Sequence, residues 1–346
     1  MYQLKSSFHS LTPLGLVLGE SGSHFTMSTM NLTTVTEFLL LGFPEIRGSR
    51  TVVLFHVILI VYILTLMINT MVIVLVSIKL QLHSPMYFFL QQLSFIETTF
   101  LTVIVPNMLR VIWLEGATIS VAGCITQAYL YCAVGCAECH LLTVMAYDRY
   151  LAICNPLRYN TIMNTRLQHS LVVYCWVFGF LLTQITLNFL CQLHFCGPHV
   201  IDHFFCDLAP FVELSCSHRS ALQLEIFIGA VPIIILPFAL VVISYICVFT
   251  TILRMSSTKV KKKTFSTCSS HLTVVILYFG SLVTIYTVPA SGQTLTVNKL
   301  LSFLYIVVTP LFNPIIYCLK NQKIRVILLH LFTDKFETSV KKSWLD

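Results

Sequence analysis

The stretch Met145-Ala-Tyr-Asp-Arg-Tyr-Leu-Ala-Ile-Cys-Asn-Pro-Leu-Arg-Tyr159 follows a long apolar run, residues 122–147, and supplies the first pair of adjacent charges after it. A helix that crosses a bilayer needs roughly 20 mostly apolar residues, and this run is long enough. The sequence therefore predicts a membrane-spanning helix here. We expect Asp148-Arg149 to mark the edge where lipid gives way to water.

Six further apolar segments have a similar length. Together the predicted spans are 52–78, 86–109, 122–147, 170–190, 222–253, 267–288 and 300–319. Of all residues 56% are hydrophobic and only 10% are charged, whereas a soluble domain typically carries about 25% charged residues. These features predict an all-α membrane protein: an N-terminal segment (1–51), a seven-transmembrane-helix bundle (52–319) and a tail (320–346).

Basic residues set the orientation of the bundle. Fifteen of the 21 Lys and Arg residues fall in the loops after the first, third and fifth spans and in the C-terminal tail. The positive-inside rule then places the C-terminus in the cytoplasm and the N-terminus outside, as in a multi-pass plasma-membrane protein. The net charge of +7 reflects contact with membrane lipid, and we expect no nucleic-acid partner. The sequon Asn31-Leu-Thr33 lies on the outer side and predicts glycosylation at Asn31.

Four of the 13 cysteines fall on the outer side of the membrane: Cys124, Cys196, Cys206 and Cys216. Extracellular segments mature in an oxidising compartment, where cysteines form disulfides. Four cysteines allow two bridges in three connectivities. A bridge from Cys124 to the loop after the fourth span would hold that loop as a lid over the bundle.

Four motifs in order carry a resemblance to a known family. They are Leu82-His-Ser-Pro-Met-Tyr-Phe-Phe-Leu90, Met145-Ala-Tyr-Asp-Arg-Tyr-Leu-Ala-Ile-Cys154, Lys263-Thr-Phe-Ser-Thr-Cys-Ser-Ser-His-Leu272 and Pro310-Leu-Phe-Asn-Pro-Ile-Ile-Tyr317. Together they resemble the signature set of olfactory (odorant) receptors in the rhodopsin-like G-protein-coupled receptor family. The resemblance runs from about Asn31 to Phe332, so residues 1–29 are expected to be an extension.

The resemblance implies an odorant receptor that binds a small, volatile, mostly apolar ligand in the outer half of the bundle. It implies activation of a heterotrimeric stimulatory G protein, a rise in cyclic AMP, no enzymatic activity and no required cofactor. We expect the disulfides Cys124–Cys206 and Cys196–Cys216. The ligand-lining positions carried over from the family are Tyr131, Cys132, Gly135, Cys136, Gly229, Ile233, Phe279, Val283 and Tyr286.

The resemblance also implies a conformational switch at the cytoplasmic ends of the helices. Arg149 is expected to pair with Asp148 in the closed bundle, and to exchange that contact for Tyr245 or the G protein in the open one. An arginine keeps its charge and its five donors in both settings. Pro314 weakens the seventh helix locally. The remaining members of this set are Tyr150, Asn313 and Tyr317.

Two carboxylates, Glu97 and Glu138, lie near the middle of predicted spans. An acid at the centre of a membrane costs about 2.5–3.5 kcal/mol on insertion scales, so it needs a cation, a proton or hydrogen-bonding partners. We expect a shared sodium ion, with Asn69 and Asn313 nearby. The alternative is that both acids are protonated and bonded to neighbouring helices.

Other functions remain open on the sequence alone. A chemoreceptor of the same architecture could serve a non-olfactory role. A light-driven pump is disfavoured, because the seventh span has no lysine in its middle for a retinal Schiff base; Lys299 and Lys320 sit at its ends. A seven-helix transporter is disfavoured, because no inverted repeat is visible. Residues 321–332 predict a short amphipathic C-terminal helix on the membrane surface. Its apolar side would carry Ile324, Ile327, Leu328 and Leu331, and Lys323 and Arg325 would face water.

Overall fold

The computed structural model describes residues 35–195, 199–217, 219–287, 294–320 and 323–327. Its long helices are α1 (Ser49–Ile78), α2 (Pro85–Trp113), α3 (Val121–Cys154), α4 (Thr165–Leu190), α5 (Arg219–Ala230, Val231–Ile235 and Leu236–Arg254), α6 (Thr258–Thr287) and α7 (Thr294–Phe303, Leu304–Val308 and Thr309–Lys320). All seven are long and apolar enough to cross a membrane. The seven-helix prediction is confirmed, and the chain is a multi-pass membrane protein.

Several helices extend beyond the predicted apolar spans. The apolar run of α3 ends at the charged pair, but the helix continues to Cys154, where Asn155 and Pro156 follow. At α6 the helix begins at Thr258, so the basic residues 259–263 form its first turns and not a loop. The end of an apolar run marks the edge of the lipid, whereas a helix ends only where caps or breakers stop it.

Capping side chains fix several helix starts. The Ser120 hydroxyl accepts a hydrogen bond from the Gly123 amide over 3.1 Å, which caps α3. The Asn164 side chain accepts from the Leu167 amide over 2.9 Å and caps α4. Such caps satisfy amides that have no partner within the helix.

Both α5 and α7 contain a π-helical turn, Val231–Ile235 and Leu304–Val308 respectively. Pro232 lies within the first of these turns. Proline lacks the amide that a regular helix needs, so the local hydrogen-bond pattern shifts. Single π turns of this kind often accompany functional sites.

The core of the bundle lies along α3, half of whose residues are buried. By contrast, few residues of α1 and α5 are buried, as expected for helices that face lipid. Helix α4 approaches α3 at Gly179, where an added Cβ would lie 2.6 Å from the Ala133 carbonyl oxygen. Only glycine allows this backbone separation.

A small three-stranded sheet caps the outer end, which the sequence analysis did not predict. Strand β1 (Glu37–Leu40) pairs antiparallel with β2 (Ala117–Ser120) and parallel with β3 (Val200–Ile201). Phe38 and Leu40 point inward and are fully buried, while their neighbours along β1 are exposed. We call this sheet, together with residues 199–206, the outer lid.

The described part of the tail agrees with the predicted amphipathic helix. Residues 323–327 are helical, with Ile324 and Ile327 buried and Lys323 and Arg325 exposed. Leu328 and Leu331 lie outside the described residues.

Candidate functional site

Three of the predicted switch residues, Asp148, Arg149 and Tyr150, lie together on α3 at the end of the helix opposite the outer lid. The Arg149 guanidinium pairs with the Asp148 carboxylate, whose side chain is buried. Tyr159, on a single helical turn in the following loop, donates its hydroxyl to Asp148 Oδ1 over 2.7 Å. Burial, followed by the nearby Asp148 charge, raises the pKa of the Tyr159 phenol, which keeps it a donor. Asp148 is therefore held from two sides, and only one of them was predicted.

Tyr245 and Tyr150 occupy different environments. The Tyr245 hydroxyl lies 2.6 Å from His271 Nδ1 and 3.4 Å from the Cys268 carbonyl oxygen, so it links α5 to α6. In this arrangement Tyr245 is engaged by α6 while Arg149 pairs with Asp148. Tyr150 is half-buried and stacks on Tyr147, with ring centroids 6.3 Å apart.

Sequence reasoning assigned no role to His271, although it lies within one of the quoted motifs. Its ring is buried, stacks on Tyr245 and has an Nε2 atom with no hydrogen-bond partner among the described residues. The available signal was a histidine preceded by a hydroxyl-rich stretch near the start of an apolar helix. That signal could not identify a partner on another helix.

A buried polar cluster joins α1, α2 and α7 near the middle of the bundle. Asn313 Nδ2 donates to Glu97 Oε1 over 2.6 Å. Asn69 approaches the same carboxyl and also donates to the Thr65 carbonyl over 3.2 Å. Glu138 on α3 is buried and interacts electrostatically with Glu97. Three oxygens here, Asn69 Oδ1, Glu97 Oε2 and Asn313 Oδ1, have no hydrogen-bond partner in the described structure.

Next to this cluster, Pro314 lies inside α7 and is buried. The helix is already irregular before Pro314, because its π-helical turn spans Leu304–Val308. Tyr317 is on the described helix, but its side chain lies outside the described residues.

The predicted ligand positions on α3 divide into two faces. Tyr131, Cys132 and Gly135 are half-buried, although the residues between and after them are buried. Tyr131 packs against Phe100 of α2 at 5.4 Å and against Phe205 of the outer lid at 5.2 Å.

Cys136 is buried one helical turn after Cys132 and on a different face from Tyr131. Its sulfur lies 3.7 Å from His140 Nδ1, and the His140 ring packs against Phe178 of α4. The structure therefore places Cys136 toward α4 and away from Tyr131.

On α5, the predicted positions lie beside the π turn. Cys139 Sγ on α3 donates to the Ile233 carbonyl over 3.0 Å. Gly229 lies beside Glu225, whose Oε1 would be 3.6 Å from an added Cβ and accepts a bond from Thr186 on α4 over 2.9 Å. Glu225 brings a carboxylate to this region, which sequence reasoning missed.

On α6, Phe279 is buried and contacts Phe238 at 5.2 Å, whereas Val283 is half exposed. The Tyr286 side chain lies outside the described residues. Tyr278, which was not predicted, donates its hydroxyl to the Gly135 carbonyl over 2.8 Å and so joins α6 to α3.

The outer lid is bound covalently to α3. The predicted Cys124–Cys206 disulfide is present, and Gln127 Oε1 accepts from the Cys206 amide over 3.1 Å. Cys216 is also disulfide-bonded, but its predicted partner Cys196 lies outside the described residues, as does Asn31.

Three features define a seven-transmembrane receptor. They are the seven-helix bundle, the charged pair at one end of α3 and the disulfide at its other end. Comparison with known proteins identifies the family. The family model described as "Olfactory receptor" matches residues 58–335. The chain belongs to the olfactory receptor family, whose members are receptors and not enzymes.

Individual relatives align over nearly their whole length. Human olfactory receptor 6Y1 is 43% identical over 86% of this chain and 91% of the relative. Human olfactory receptor 6B1 is 43% identical over 88% of this chain and 97% of the relative. Mouse olfactory receptor 6B9 is 40% identical over 85% of this chain and 93% of the relative.

Proposed function

We propose that this chain is an odorant receptor that binds a small, mostly apolar ligand in the outer half of the bundle. The ligand then favours an open state that activates a stimulatory G protein and raises cyclic AMP. The match of residues 58–335 to the olfactory receptor family carries this proposal. Tyr131, Cys132 and Gly135 are half-buried, and Tyr131 packs against Phe205 of the outer lid, which supports a pocket at this level.

Apolar burial would supply most of the binding free energy, at about 25 cal/mol per Å². A hydrogen bond from a pocket hydroxyl, such as that of Tyr131 or Tyr286, would add about 0.5–1.5 kcal/mol. A ligand shifts the equilibrium only as far as it binds the open state better than the closed one, about 1.4 kcal/mol for each tenfold change.

At the inner side, activation would release Arg149 from Asp148 and free Tyr245 from His271. The first change exposes the guanidinium to the G protein, and the second unlinks α5 from α6. Both contacts join groups that keep good alternative partners, so the two states can lie close in free energy.

We place the N-terminus outside and the C-terminus in the cytoplasm, with the protein in the plasma membrane. The asymmetric distribution of Lys and Arg supports this orientation. The disulfide Cys124–Cys206 at the opposite end of the bundle also supports it, because disulfides persist in oxidising surroundings. Glycosylation of Asn31 is part of the same proposal.

A cyclic-AMP reporter screen over an odorant panel, in cells that display the receptor at the surface, tests the main proposal. An active odorant is expected to lose its effect with Arg149→Ala and to keep it with Arg166→Ala, which removes an exposed arginine outside the switch. If surface-displayed receptor responds to no odorant, the proposal of odorant activation fails. Expression confined to non-olfactory tissue would favour the alternative chemoreceptor role.

We also propose that Glu97 and Glu138, with Asn69 and Asn313, hold a sodium ion. The three unpartnered oxygens of this cluster fit a hard cation, which prefers oxygen ligands. A bound sodium ion would neutralise the charge of one of the two buried carboxylates and add a link between α1, α2 and α7.

Sodium binding predicts an ion-specific stability. Raising NaCl at constant ionic strength, with choline chloride as replacement, should raise the thermal midpoint of purified receptor by a few degrees, since a ligand of the folded state stabilises it. Glu97→Gln should abolish the sodium dependence, whereas Glu115→Gln, an exposed control at the outer end, should retain it. Equal midpoints in sodium and choline would instead favour protonated acids.

A further inference from the structure

Lys299 is a buried cation at the outer end of α7. Its residue is 2% exposed, and its ammonium lies 2.5 Å from Asp202 Oδ1 and 3.1 Å from the Gly42 carbonyl oxygen. Lysine is almost never fully buried unless it is paired. The position therefore requires both partners, which come from two distant parts of the chain.

Those partners lie where β1 and β3 stop pairing. The Leu41 amide donates to the Ile201 carbonyl over 3.0 Å, and the Gly42 amide donates to the His203 carbonyl over 3.1 Å. Gly42 and Asp202 thus sit side by side at the end of this ladder. The Lys299 ammonium of α7 therefore contacts the residues that follow both β1 and β3.

The attachments of the outer lid to α3 and to α7 differ in kind. On the α3 side the Cys124–Cys206 disulfide is covalent. On the α7 side the lid has the Lys299 ion pair and the contact of Phe43 with Phe303, whose ring centroids are 6.4 Å apart. Between the two attachments, Phe205 of the lid packs against Tyr131.

The ion pair is also accessible to water on one side, since the Asp202 side chain is 35% exposed. Partly exposed ion pairs open and close more readily than packed cores and are weakened by salt. When this pair opens, the lid can lift from α7 while the disulfide still holds it to α3.

We propose that Lys299 is a latch that positions the outer lid: its pairing with Asp202 and the Gly42 carbonyl closes the α7 side of the pocket and controls ligand exchange there. This inference rests on the proposed function for its ligand, but the latch itself can be measured without one.

Hydrogen exchange of purified receptor in lipid nanodiscs tests the latch directly. Asp202→Asn and Lys299→Met should each raise amide exchange in peptides covering 37–43 and 199–203 by about tenfold, with α3 unchanged. Lys299→Arg, which keeps the cation, should stay close to the parent. Arg47→Gln removes an exposed charge from the same outer face and should have no effect.

A double-mutant cycle separates a latch from two unrelated defects. If the residues act as one pair, Asp202→Asn with Lys299→Met should exchange no faster than either single variant, within about threefold. Multiplied effects in the double variant, or parent-like exchange in both single variants, would overturn the proposal. Asp202 is partly exposed and its asparagine variant is nearly isosteric, so it keeps the test available if the lysine variant misfolds.

The ligand arm distinguishes the latch from the proposed function. For an odorant that activates the parent receptor, Asp202→Asn should speed washout of the cyclic-AMP response by about fivefold or more, whereas Arg47→Gln should not. Unchanged washout would overturn the control of ligand exchange. If no odorant activates the parent, the proposed function fails, while the exchange measurements still decide whether the lid is latched.

Discussion

Asp148 is contacted from two directions, by Arg149 and by Tyr159. The adjacent Arg149 was predictable because the charged pair ends an apolar run and lies in a recognisable motif. Tyr159 was not, since it approaches from the next loop, and its hydroxyl reaches Asp148 only through the fold. Sequence patterns report which residues are unusual, whereas partners across a loop depend on three-dimensional packing.

Removing the Tyr159 hydroxyl should loosen the closed state. A hydrogen bond to a charged group contributes about 1.5–3 kcal/mol, so Tyr159→Phe is expected to raise ligand-independent cyclic AMP severalfold at equal surface display. Tyr147→Phe is the matched control, because Tyr147 is exposed and stacks on Tyr150. Basal signalling that is equal in the two variants would contradict a locking role for the Tyr159 hydroxyl.

Among the secondary-structure elements, the helices were predictable and the sheet was not. Seven apolar segments of spanning length predict seven helices, because in lipid the backbone groups of such a segment must be hydrogen-bonded within the segment itself. Strand β1 is only four residues long, and its partners lie in two loops far along the chain. Its alternating burial is visible afterwards, but four residues are too few to indicate a strand.

Helix contacts likewise escaped prediction. Gly179 and Gly280 are both glycines inside long apolar helices, yet of the two only Gly179 would bring an added Cβ within 4 Å of a neighbouring helix. The distinction depends on which face of α4 meets α3. Neither composition nor spacing specifies that face.

Gly179→Ala should destabilise the α3–α4 contact. Its new Cβ would lie 2.6 Å from the Ala133 carbonyl oxygen, so the helices must separate, at a cost of about 1–3 kcal/mol. We expect lower surface display and a lower thermal midpoint for the purified protein. Gly280→Ala has no atom within 4 Å of the new Cβ and should be neutral or slightly stabilising, because alanine favours helix. The opposite ranking would show that α4 does not pack as described.

In the complete bundle, the outer lid couples the N-terminal segment, the loop after α4 and the top of α7. His203 lies within this junction, nearly buried between Phe204 and Phe205. Burial, followed by the Lys299 charge, lowers the pKa of the His203 imidazole to about 3. Asp202 and Asp207 are the nearby acids. Burial raises the Asp207 pKa, although a bond from the Leu208 amide opposes that shift.

These pKa shifts predict that the folded receptor loses stability in acid. The unfolded chain takes up a proton on His203 below about pH 6.5, whereas the folded protein resists it down to about pH 3. The contribution of neutral His203 to the free energy of unfolding is therefore fully present above pH 6.5. It decreases as the pH falls from 6.5 to about 3, and the loss is about 2 kcal/mol at pH 5. The raised Asp207 pKa acts in the opposite sense and reduces the net loss.

Thermal unfolding at pH 7.5 and pH 5 should show a lower midpoint in acid, and His203→Phe should shrink that difference. The control is His169→Phe, at an exposed histidine on α4, which should leave the acid sensitivity unchanged. If the His203→Phe variant is as acid-sensitive as the parent, the sensitive group lies elsewhere.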